Sequence, residues 1–170
     1  MQNNNRNNNR RNNNFYQAEK EFTETVVQIN RISKKTKGGN QMRFAALVVV
    51  GDKKGKVGVG LAKAKDVRSA VQKAITAAKR KLIVVPLRGT TVAYEVNVKY
   101  GAAKIVLKPA PQGSGIIAGG AIRVVLDAAG VRDASAKILG TKNKISNVYA
   151  TISALEKISD IVERKNINAK

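Results

Sequence analysis

Two short segments of the sequence place lysines directly beside glycines. Lys34–Asn40 has the sequence KKTKGGN, and Gly51–Lys56 has the sequence GDKKGK. A lysine ammonium attracts a phosphate, and an amide at a glycine can donate to the same phosphate because no side chain shields it. Lysines in turns also occur simply as solubilising residues, but their combination with glycine favours binding of a polyanion. These two segments are therefore the first candidates for a binding function.

A predicted pair of β-strands holds the two segments at its ends. In Phe44–Val50 successive apolar side chains fall on alternate sides of an extended chain, and Val57–Leu61 resumes the pattern after a break at Gly51–Gly55. Two extended runs joined by a short glycine-containing turn predict a β-hairpin. A rigid ribbon with cationic loops suits a polyanion, so we predict an RNA-binding element here.

The composition indicates the same class of partner. The 170 residues include 32 Lys and Arg against 11 Asp and Glu, a formal net charge of +21. So large a charge opposes compaction unless a partner neutralises it, and nucleic acid is the usual partner, with an anionic membrane surface as the minor alternative. Aromatic residues make up only 4% of the chain, so platforms for stacking unpaired bases are scarce. We therefore expect a folded RNA that presents its backbone.

The residue types that the sequence lacks exclude several kinds of chemistry. The chain has no cysteine and no histidine. Disulfides and thiolate zinc sites are thereby excluded, and the commonest general base and metal ligand is missing. We predict no catalytic residue, no metal and no cofactor. No apolar run approaches the ~18 residues of a membrane helix and the N-terminus lacks an apolar signal region, so we expect a soluble, cytoplasmic protein.

The rest of the chain is predicted to alternate short strands with helices. Apolar residues recur with helical spacing from Asp66 to Leu82, where Asp66 suits an N-cap and basic residues occupy the last turn. Ile116–Ala129 is predicted as a buried helix that ends at Gly130, and Val148–Ile158 belongs to a final amphipathic helix. Further strands are predicted at Val27–Ile32, Thr91–Tyr100, Ala103–Leu107 and Asp133–Leu139.

These elements predict an α+β protein with two lobes. Pro86 and Gly89 interrupt the chain close to Val85, which marks the predicted boundary. We predict a disordered Asn-rich tail over 1–20, an RNA-binding lobe over 21–85, an α/β lobe over 86–160 and a flexible tail over 161–170. The arginines of the first tail could touch phosphate, or that tail could be solvated without a specific role.

One glycine-rich segment is compatible with a nucleotide-binding enzyme. Gly113–Ala118 matches a G-x-G-x-x-A turn, and Asp133 follows at the distance of a ribose-binding acid. The context opposes a dinucleotide fold, because Pro109–Gln112 separates the turn from its strand and Asp133 begins a strand. The glycines could instead present amides to another nucleotide phosphate, or only allow a tight helix start. A nucleotide-dependent small-molecule kinase and a free RNA chaperone or DNA-binding protein are the alternative functions.

Two long blocks of the sequence closely resemble a known family. Lys35–Val67 and Pro109–Asn143, followed by Ala150–Ile152, are similar to the family of the fifth protein of the bacterial small ribosomal subunit, and the likeness extends from about Phe22 to Ile158. The resemblance implies a first lobe akin to the double-stranded-RNA-binding fold without its first helix. It implies a second β-β-α-β-α lobe with a left-handed βαβ crossover, which some ATP-dependent kinases share, although members of the family are not enzymes.

The resemblance also implies a function and partners. Family members bind small-subunit ribosomal RNA where the head meets the body, near the channel by which messenger RNA enters, and they influence decoding accuracy. They contact the fourth and eighth small-subunit proteins. In them the loop that matches Lys34–Asn40 lies near the spectinomycin site, and the segment that matches Gly113–Arg123 faces the fourth protein. Asn40, Met42 and Lys144 depart from the usual family residues, and the Asn-rich leader has no counterpart in the family pattern.

The candidate site residues form two sets. The predicted contacts to partner proteins are Gly113, Ser114, Gly115 and Arg123. The predicted RNA-binding residues are Arg31, Lys34, Lys35, Lys37, Gly38, Gly39, Asn40, Arg43, Lys53, Lys54, Lys56, Lys63, Lys65 and Arg68.

Overall fold

The structure, a computed structural model, describes residues 22–168 of the chain. Its strands are β1 Thr23–Thr36, β2 Gly39–Gly51, β3 Lys56–Ala64, β4 Leu82–Val84, β5 Leu87–Arg88, β6 Thr91–Val92, β7 Val96–Tyr100, β8 Ala103–Pro109, β9 Ile116–Ile117 and β10 Ala134–Leu139. Its helices are α1 Val67–Lys79, α2 Gly120–Ala129 and α3 Lys144–Asn168. One sheet has the order β1-β2-β3-β4, a second has the order β7-β8-β10-β9, and β5 pairs with β6. The predicted disordered tail lies outside the described residues.

The first sheet contains a long antiparallel ribbon. β1 pairs with β2 from Thr23 opposite Gly51 to Thr36 opposite Gly39, with one irregularity in register. β3 pairs only with the Phe44–Gly51 half of β2, so the other half of the ribbon extends beyond the sheet. The predicted hairpin is confirmed as β2 and β3. The first strand is longer than predicted because its polar end needs no core and pairs with the equally polar start of β2.

Both faces of β2 are buried, against different elements. The side chains of Ala46, Val48 and Val50 form one apolar cluster with the alanines of α1, and the residues between them join the core of the second lobe. Helix α1 lies close to β3, since a Cβ added at Gly60 would collide with the carbonyl oxygen of Ala74. The first sheet is thus the central layer between α1 and the second lobe.

Helix α1 confirms the predicted apolar stripe but is shorter than predicted. Ala70, Ala74 and Ala78 on this stripe are completely buried. Asp66 occupies the N-cap position, but its side chain makes no capping hydrogen bond. The helix ends at Lys79, and Leu82 begins β4, which pairs with β3. The backbone N–H and C=O groups of Leu82–Val84 therefore form hydrogen bonds within the sheet, in place of the bonds that a further helical turn would have made.

The second lobe differs from the prediction at the start of α2. The helix begins at Gly120, because Ile116 and Ile117 form β9 and pair in parallel with the start of β10. The N–H of Ala134 donates to the carbonyl of Gly115 at 3.2 Å, which holds this segment extended. Gly130 ends the helix with φ of 86°, as predicted. The parallel β9–α2–β10 unit is the βαβ unit of this lobe, and the handedness of its crossover stays a prediction.

The last helix extends further than the amphipathic pattern predicted. Val148, Leu155 and Ile158 are completely buried, as predicted. Helix α3 continues through Asn168, where a flexible tail was predicted. Its last turns pack on the core through partly buried apolar side chains, and the Nζ of Lys165 lies 4.1 Å from the centre of the Tyr94 ring. This cation–π contact stabilises the helix end.

One apolar core connects the two lobes. Val49 and Val57 of the first sheet belong to the same buried cluster as Ile105 of the second sheet and Leu126 of α2. Val85, at the predicted boundary, is only 3% exposed and belongs to this cluster. The segment between the lobes is therefore part of the core. Within residues 22–168, no helix has the length and apolar character needed to cross a membrane.

Candidate nucleic-acid interface

The end of the β1–β2 ribbon presents cations beside accessible backbone. Lys34, Lys35 and Lys37 are exposed, and so are Gly38 and Gly39 at the turn. A Cβ added at either glycine would meet no heavy atom within 4 Å, so another molecule can approach this backbone closely. We call residues Lys34–Asn40 the ribbon tip. That its backbone and ammonium groups bind the same phosphate stays a prediction.

The tip is internally ordered. The hydroxyl of Thr36 donates to the carbonyl of Gly39 at 2.8 Å, and these two residues are paired across the ribbon. Gly39 has φ of 126°, a conformation that L side chains rarely adopt. Asn40, one of the residues that depart from the family pattern, is exposed opposite Lys35, and Met42 is 50% exposed. The tip can therefore present its cations with a defined spacing.

Two shallow grooves extend the basic surface from the ribbon toward α1. The first contains Lys34, Arg43 and Lys63, and the second contains Arg43, Lys63 and Lys65 together with Lys73 of α1. The register explains this grouping, because Phe44 pairs with Ala64 and brings the flanking basic residues of β2 and β3 together. Sequence reasoning missed Lys73. No local feature of the sequence distinguishes Lys73 from an ordinary exposed lysine on a helix.

Arg31 and Arg68, two of the predicted RNA-binding residues, line neither groove and lie outside both lysine-bearing loops. Arg68 is exposed on the first turn of α1 but lines neither groove. Arg31 pairs with Phe44 on the ribbon, at the point where β2 also begins to pair with β3. Whether either residue touches RNA stays a prediction.

The β2–β3 turn differs from the sequence expectation at its backbone. The N–H of Lys53 donates to the carbonyl of Ala128 at 3.1 Å, and that of Gly55 donates to the carbonyl of Ala129 at 2.9 Å. Oδ1 of Asp52 accepts from the next N–H groups on either side of Gly55, at 2.7 and 2.9 Å. The expectation that Gly55 exposes an amide for phosphate is therefore wrong, because this turn uses its amides to bind α2 and its own aspartate.

The lysines of this turn are nevertheless accessible. Lys53, Lys54 and Lys56 are exposed. They lie at the end of β2 opposite the ribbon tip, roughly 40 Å away for a strand of this length. An RNA that contacts both ends must span this distance. Two lysine groups this far apart cannot contact the same phosphate, and of these two loops only the tip adds accessible backbone to its cations.

The glycine turn of the second lobe, residues Gly113–Gly115, binds the side chain of an aspartate of the protein itself. Oδ1 of Asp133 accepts hydrogen bonds from the N–H groups of Gly113 at 3.0 Å and Gly115 at 2.9 Å. The hydroxyl of Thr90, these amides and the nearby Arg132 lower the pKa of Asp133, against the opposing effect of burial. Asp133 is only 4% exposed. The interpretation of Asp133 as a ribose-binding acid is therefore wrong.

The predicted protein-contact residues are accessible in part. Gly113 and Ser114 are exposed, and the hydroxyl of Ser114 donates to the carbonyl of Pro111 at 2.6 Å. Arg123 is exposed on α2 and lines a cleft with Asp127 and Arg132. Arg123 and Asp127 stand one helical turn apart, but they are not among the ion pairs of residues 22–165. Within the same part of the chain, no cluster of acidic residues could hold a metal ion.

Two family models match the chain, one on each lobe. The model described as ribosomal protein S5, N-terminal domain, matches residues 22–86, and the model described as ribosomal protein S5, C-terminal domain, matches residues 98–167. The chain belongs to the ribosomal protein S5 family. Its mixed α+β architecture, with two sheet-rich lobes and helices, agrees with the two-domain fold of that family. The S5 family is a family of RNA-binding proteins of the small ribosomal subunit that function in translation.

Membership of the S5 family indicates the role of the whole chain. A structural role in the small ribosomal subunit follows for this chain, together with association with ribosomal RNA. The exposed basic surface lies on the lobe matched by the N-terminal S5 model, and the internally occupied glycine turn lies on the lobe matched by the C-terminal model.

Proposed function

We propose that this chain binds small-subunit ribosomal RNA through the ribbon tip and the adjoining basic grooves, as a structural and non-enzymatic component. The observation that supports this most directly is the tip, where three exposed lysines precede two glycines with open space around them. Phosphate contacts of this kind position an RNA without reading its sequence. The predicted RNA-binding residues outside the tip would add further contacts to the same backbone.

The location of this binding is a proposal that follows from the family. The chain would lie in the cytoplasm where the head of the small subunit meets its body, near the channel by which messenger RNA enters. It would contact the fourth and eighth small-subunit proteins, with Gly113, Ser114, Gly115 and Arg123 at a protein interface, and would support decoding accuracy. The exposed positions of Gly113, Ser114 and Arg123 support this part of the proposal.

Salt dependence tests the role of the tip. Lysines that neutralise phosphates release counterions, so the affinity for RNA falls with salt by a log–log slope of about −0.7 to −0.9 per contact. Replacing Lys34, Lys35 and Lys37 by Ala should therefore reduce the slope by about two, measured as binding of the full chain to small-subunit ribosomal RNA over a salt series.

A matched variant controls for the loss of net charge. Replacing Lys81, Lys157 and Arg164 by Ala removes the same charge from exposed positions away from the ribbon. This control should retain most of the wild-type slope. An unchanged slope in the tip variant, or an equal loss in both variants, would contradict the assignment of the tip.

The competing nucleotide-dependent kinase has less structural support. The amides of Gly113 and Gly115, which would hold a nucleotide phosphate, already donate to the carboxylate of Asp133. A phosphate at this turn would have to displace that carboxylate or lie beside its negative charge. Equilibrium dialysis with labelled ATP separates the two functions, because specific micromolar binding that survives high salt would favour the enzyme.

A further inference from the structure

Within residues 22–168, the second sheet has one face that no helix covers. Along β7 and β8 the side chains of Val96, Ile105 and Leu107 point into the core. The alternate residues of these strands and of β10 point the other way and are mostly exposed. We call this surface the outer lysine face. Its exposed cations are Lys99, Lys104, Lys108 and Lys137.

The register brings these lysines close together. Lys99 lies directly opposite Lys104, and Leu139, which is 46% exposed, lies opposite Lys104 on its other side. Lys137 precedes Leu139 by two residues, so it is the diagonal neighbour of Lys104. Directly opposite residues have Cβ atoms about 5 Å apart, and diagonal ones about 7–8 Å apart. Three lysines therefore meet at one end of the face.

Most of this charge has no ion-pair partner among the side chains that the structure describes. The Nζ of Lys108 lies 3.0 Å from a carboxylate oxygen of Glu95. In residues 22–165, no ion pair involves Lys99, Lys104 or Lys137. Like charges directly opposite each other destabilise a strand pair. The free protein thus maintains a repulsive pair on an exposed sheet, and an anionic partner would relieve that repulsion.

We infer that the outer lysine face is a second RNA-binding surface, which contacts the phosphate backbone. This inference depends on the proposed function, RNA binding by the chain. Charge complementarity favours RNA over a protein partner, because the three unpaired lysines lie close together on the adjacent strands β7, β8 and β10 and suit the dense negative charge of a phosphate backbone. No aromatic residue lies among the outward side chains of β7, β8 and β10, because Tyr100 is on the inner side and stacks on Tyr149. The contact therefore involves backbone charge and not stacking of bases.

A triple substitution tests this surface in the full chain. Lys99→Gln, Lys104→Gln and Lys137→Gln remove the three unpaired cations and keep long polar side chains. The probe is an RNA duplex of about 20 base pairs, longer than the ~16 base pairs that a double-stranded-RNA-binding domain spans. Fluorescence anisotropy over a salt series should show a slope reduced by about two relative to wild type. Lys81→Gln, Lys157→Gln and Arg164→Gln together form the charge-matched control.

Thermal unfolding separates a lost contact from a damaged fold. The triple variant should unfold at or above the wild-type temperature, because the Lys99–Lys104 repulsion is removed. A variant with weaker RNA binding and this stability supports the second surface. Weaker binding accompanied by a lower unfolding temperature would contradict it.

The remaining outcomes are distinguishable from failure of the proposed function. A wild-type slope in the triple variant, or a loss equal to that of the control, overturns the second surface alone if the tip variant still loses its slope. Normal RNA binding with loss of a neighbouring protein from assembled subunits would make this face a protein interface and likewise overturn it. Failure of the wild-type chain to bind RNA overturns both proposals.

Discussion

The carboxylate of Asp133 accepts from the kind of glycine amides that bind a phosphate in a nucleotide-binding turn. It accepts from the amides of Gly113 and Gly115, and hydrogen bonds to the charged form lower its pKa from the ordinary value of 3.8. From sequence, the same glycines are compatible either with binding of a nucleotide phosphate or with a tight turn that has no ligand. The spacing of Gly113 and Asp133 was compatible with a nucleotide site although its context opposed one, and in the structure Asp133 itself binds the amides of the turn.

The charge of Asp133 should make the stability of the second lobe depend on pH. A carboxylate whose pKa is lower in the folded chain stabilises it above the unfolded pKa of about 3.8, and this contribution disappears as the pH falls through the folded pKa. Asp133→Asn should therefore lower the unfolding temperature at neutral pH. The difference from wild type should shrink at acidic pH, as measured by thermal denaturation between pH 7 and about 3.

Asp127→Asn is the matched control for this prediction. Asp127 is exposed on α2 and makes none of the hydrogen bonds that hold the glycine turn. Its substitution should leave the unfolding temperature unchanged at both ends of the pH range. A loss of stability in Asp133→Asn that is the same at all pH values would show that shape, and not charge, determines the effect.

Single residues differed in how well the sequence predicted them. The exposure of Lys34 and Lys37 follows from their charge and from neighbouring glycines, so the ribbon tip was predicted correctly as an exposed turn. The amide of Gly55 was not, because its acceptor is the carbonyl of Ala129, 74 positions away in the printed sequence. Lys73 was missed because a helical lysine has no local feature that distinguishes a groove from plain surface.

At the scale of elements, β3 depends on glycine for its contact with α1. A Cβ at Gly60 would collide with the carbonyl oxygen of Ala74, and neither backbone can move without disturbing the sheet or the helix. Gly60→Ala should therefore lower the free energy of unfolding by about 1–3 kcal/mol, as overpacking of a core does. The midpoint of urea denaturation measures the change.

Gly38→Ala provides the comparison for Gly60→Ala. A Cβ at Gly38 meets no heavy atom within 4 Å. Its substitution should be neutral or should stabilise the fold by up to about 1 kcal/mol, since alanine restricts the unfolded chain. Equal effects at both glycines would show that close packing of α1 on β3 is not what position 60 requires.

Elements with a strong local period were predicted well, and those defined by distant contacts were not. The hairpin of β2 and β3, helix α1 and the end of α2 at Gly130 follow from alternation, helical spacing and glycine. Ile116–Ile117 has no such pattern, because it becomes a strand only by pairing with β10. The single strand predicted over Thr91–Tyr100 is likewise two strands, β6 and β7. The alternation of apolar residues in this segment could not show that β6 pairs with β5 instead.

At the scale of the whole molecule, the proposed protein interface of the second lobe has a testable consequence for decoding. Substituting Gly113 or Arg123 is expected to raise miscoding by weakening a contact between proteins, while affinity for ribosomal RNA stays nearly intact. Arg123→Glu is the cleaner variant, because Gly113 has φ of 90° and its amide binds Asp133, so its substitution also strains the turn. A reporter of stop-codon readthrough measures the effect in cells.

Arg164→Glu controls for the reversal of charge in that experiment. Arg164 is exposed on the last turns of α3, far along the chain from the glycine turn. It should leave fidelity unchanged. Normal fidelity in Arg123→Glu would remove the support for this interface and would leave the RNA-binding proposal untouched.

The core shared by the two lobes has a consequence for synthesis of the chain. Val49 and Val57 are buried against residues of α2 that the ribosome adds some 70 positions later. Until those residues emerge, the nascent first sheet exposes an apolar surface and leaves the amides of its β2–β3 turn without their acceptors at Ala128 and Ala129. We therefore expect the N-terminal half to complete its packing only after the second half has been synthesised.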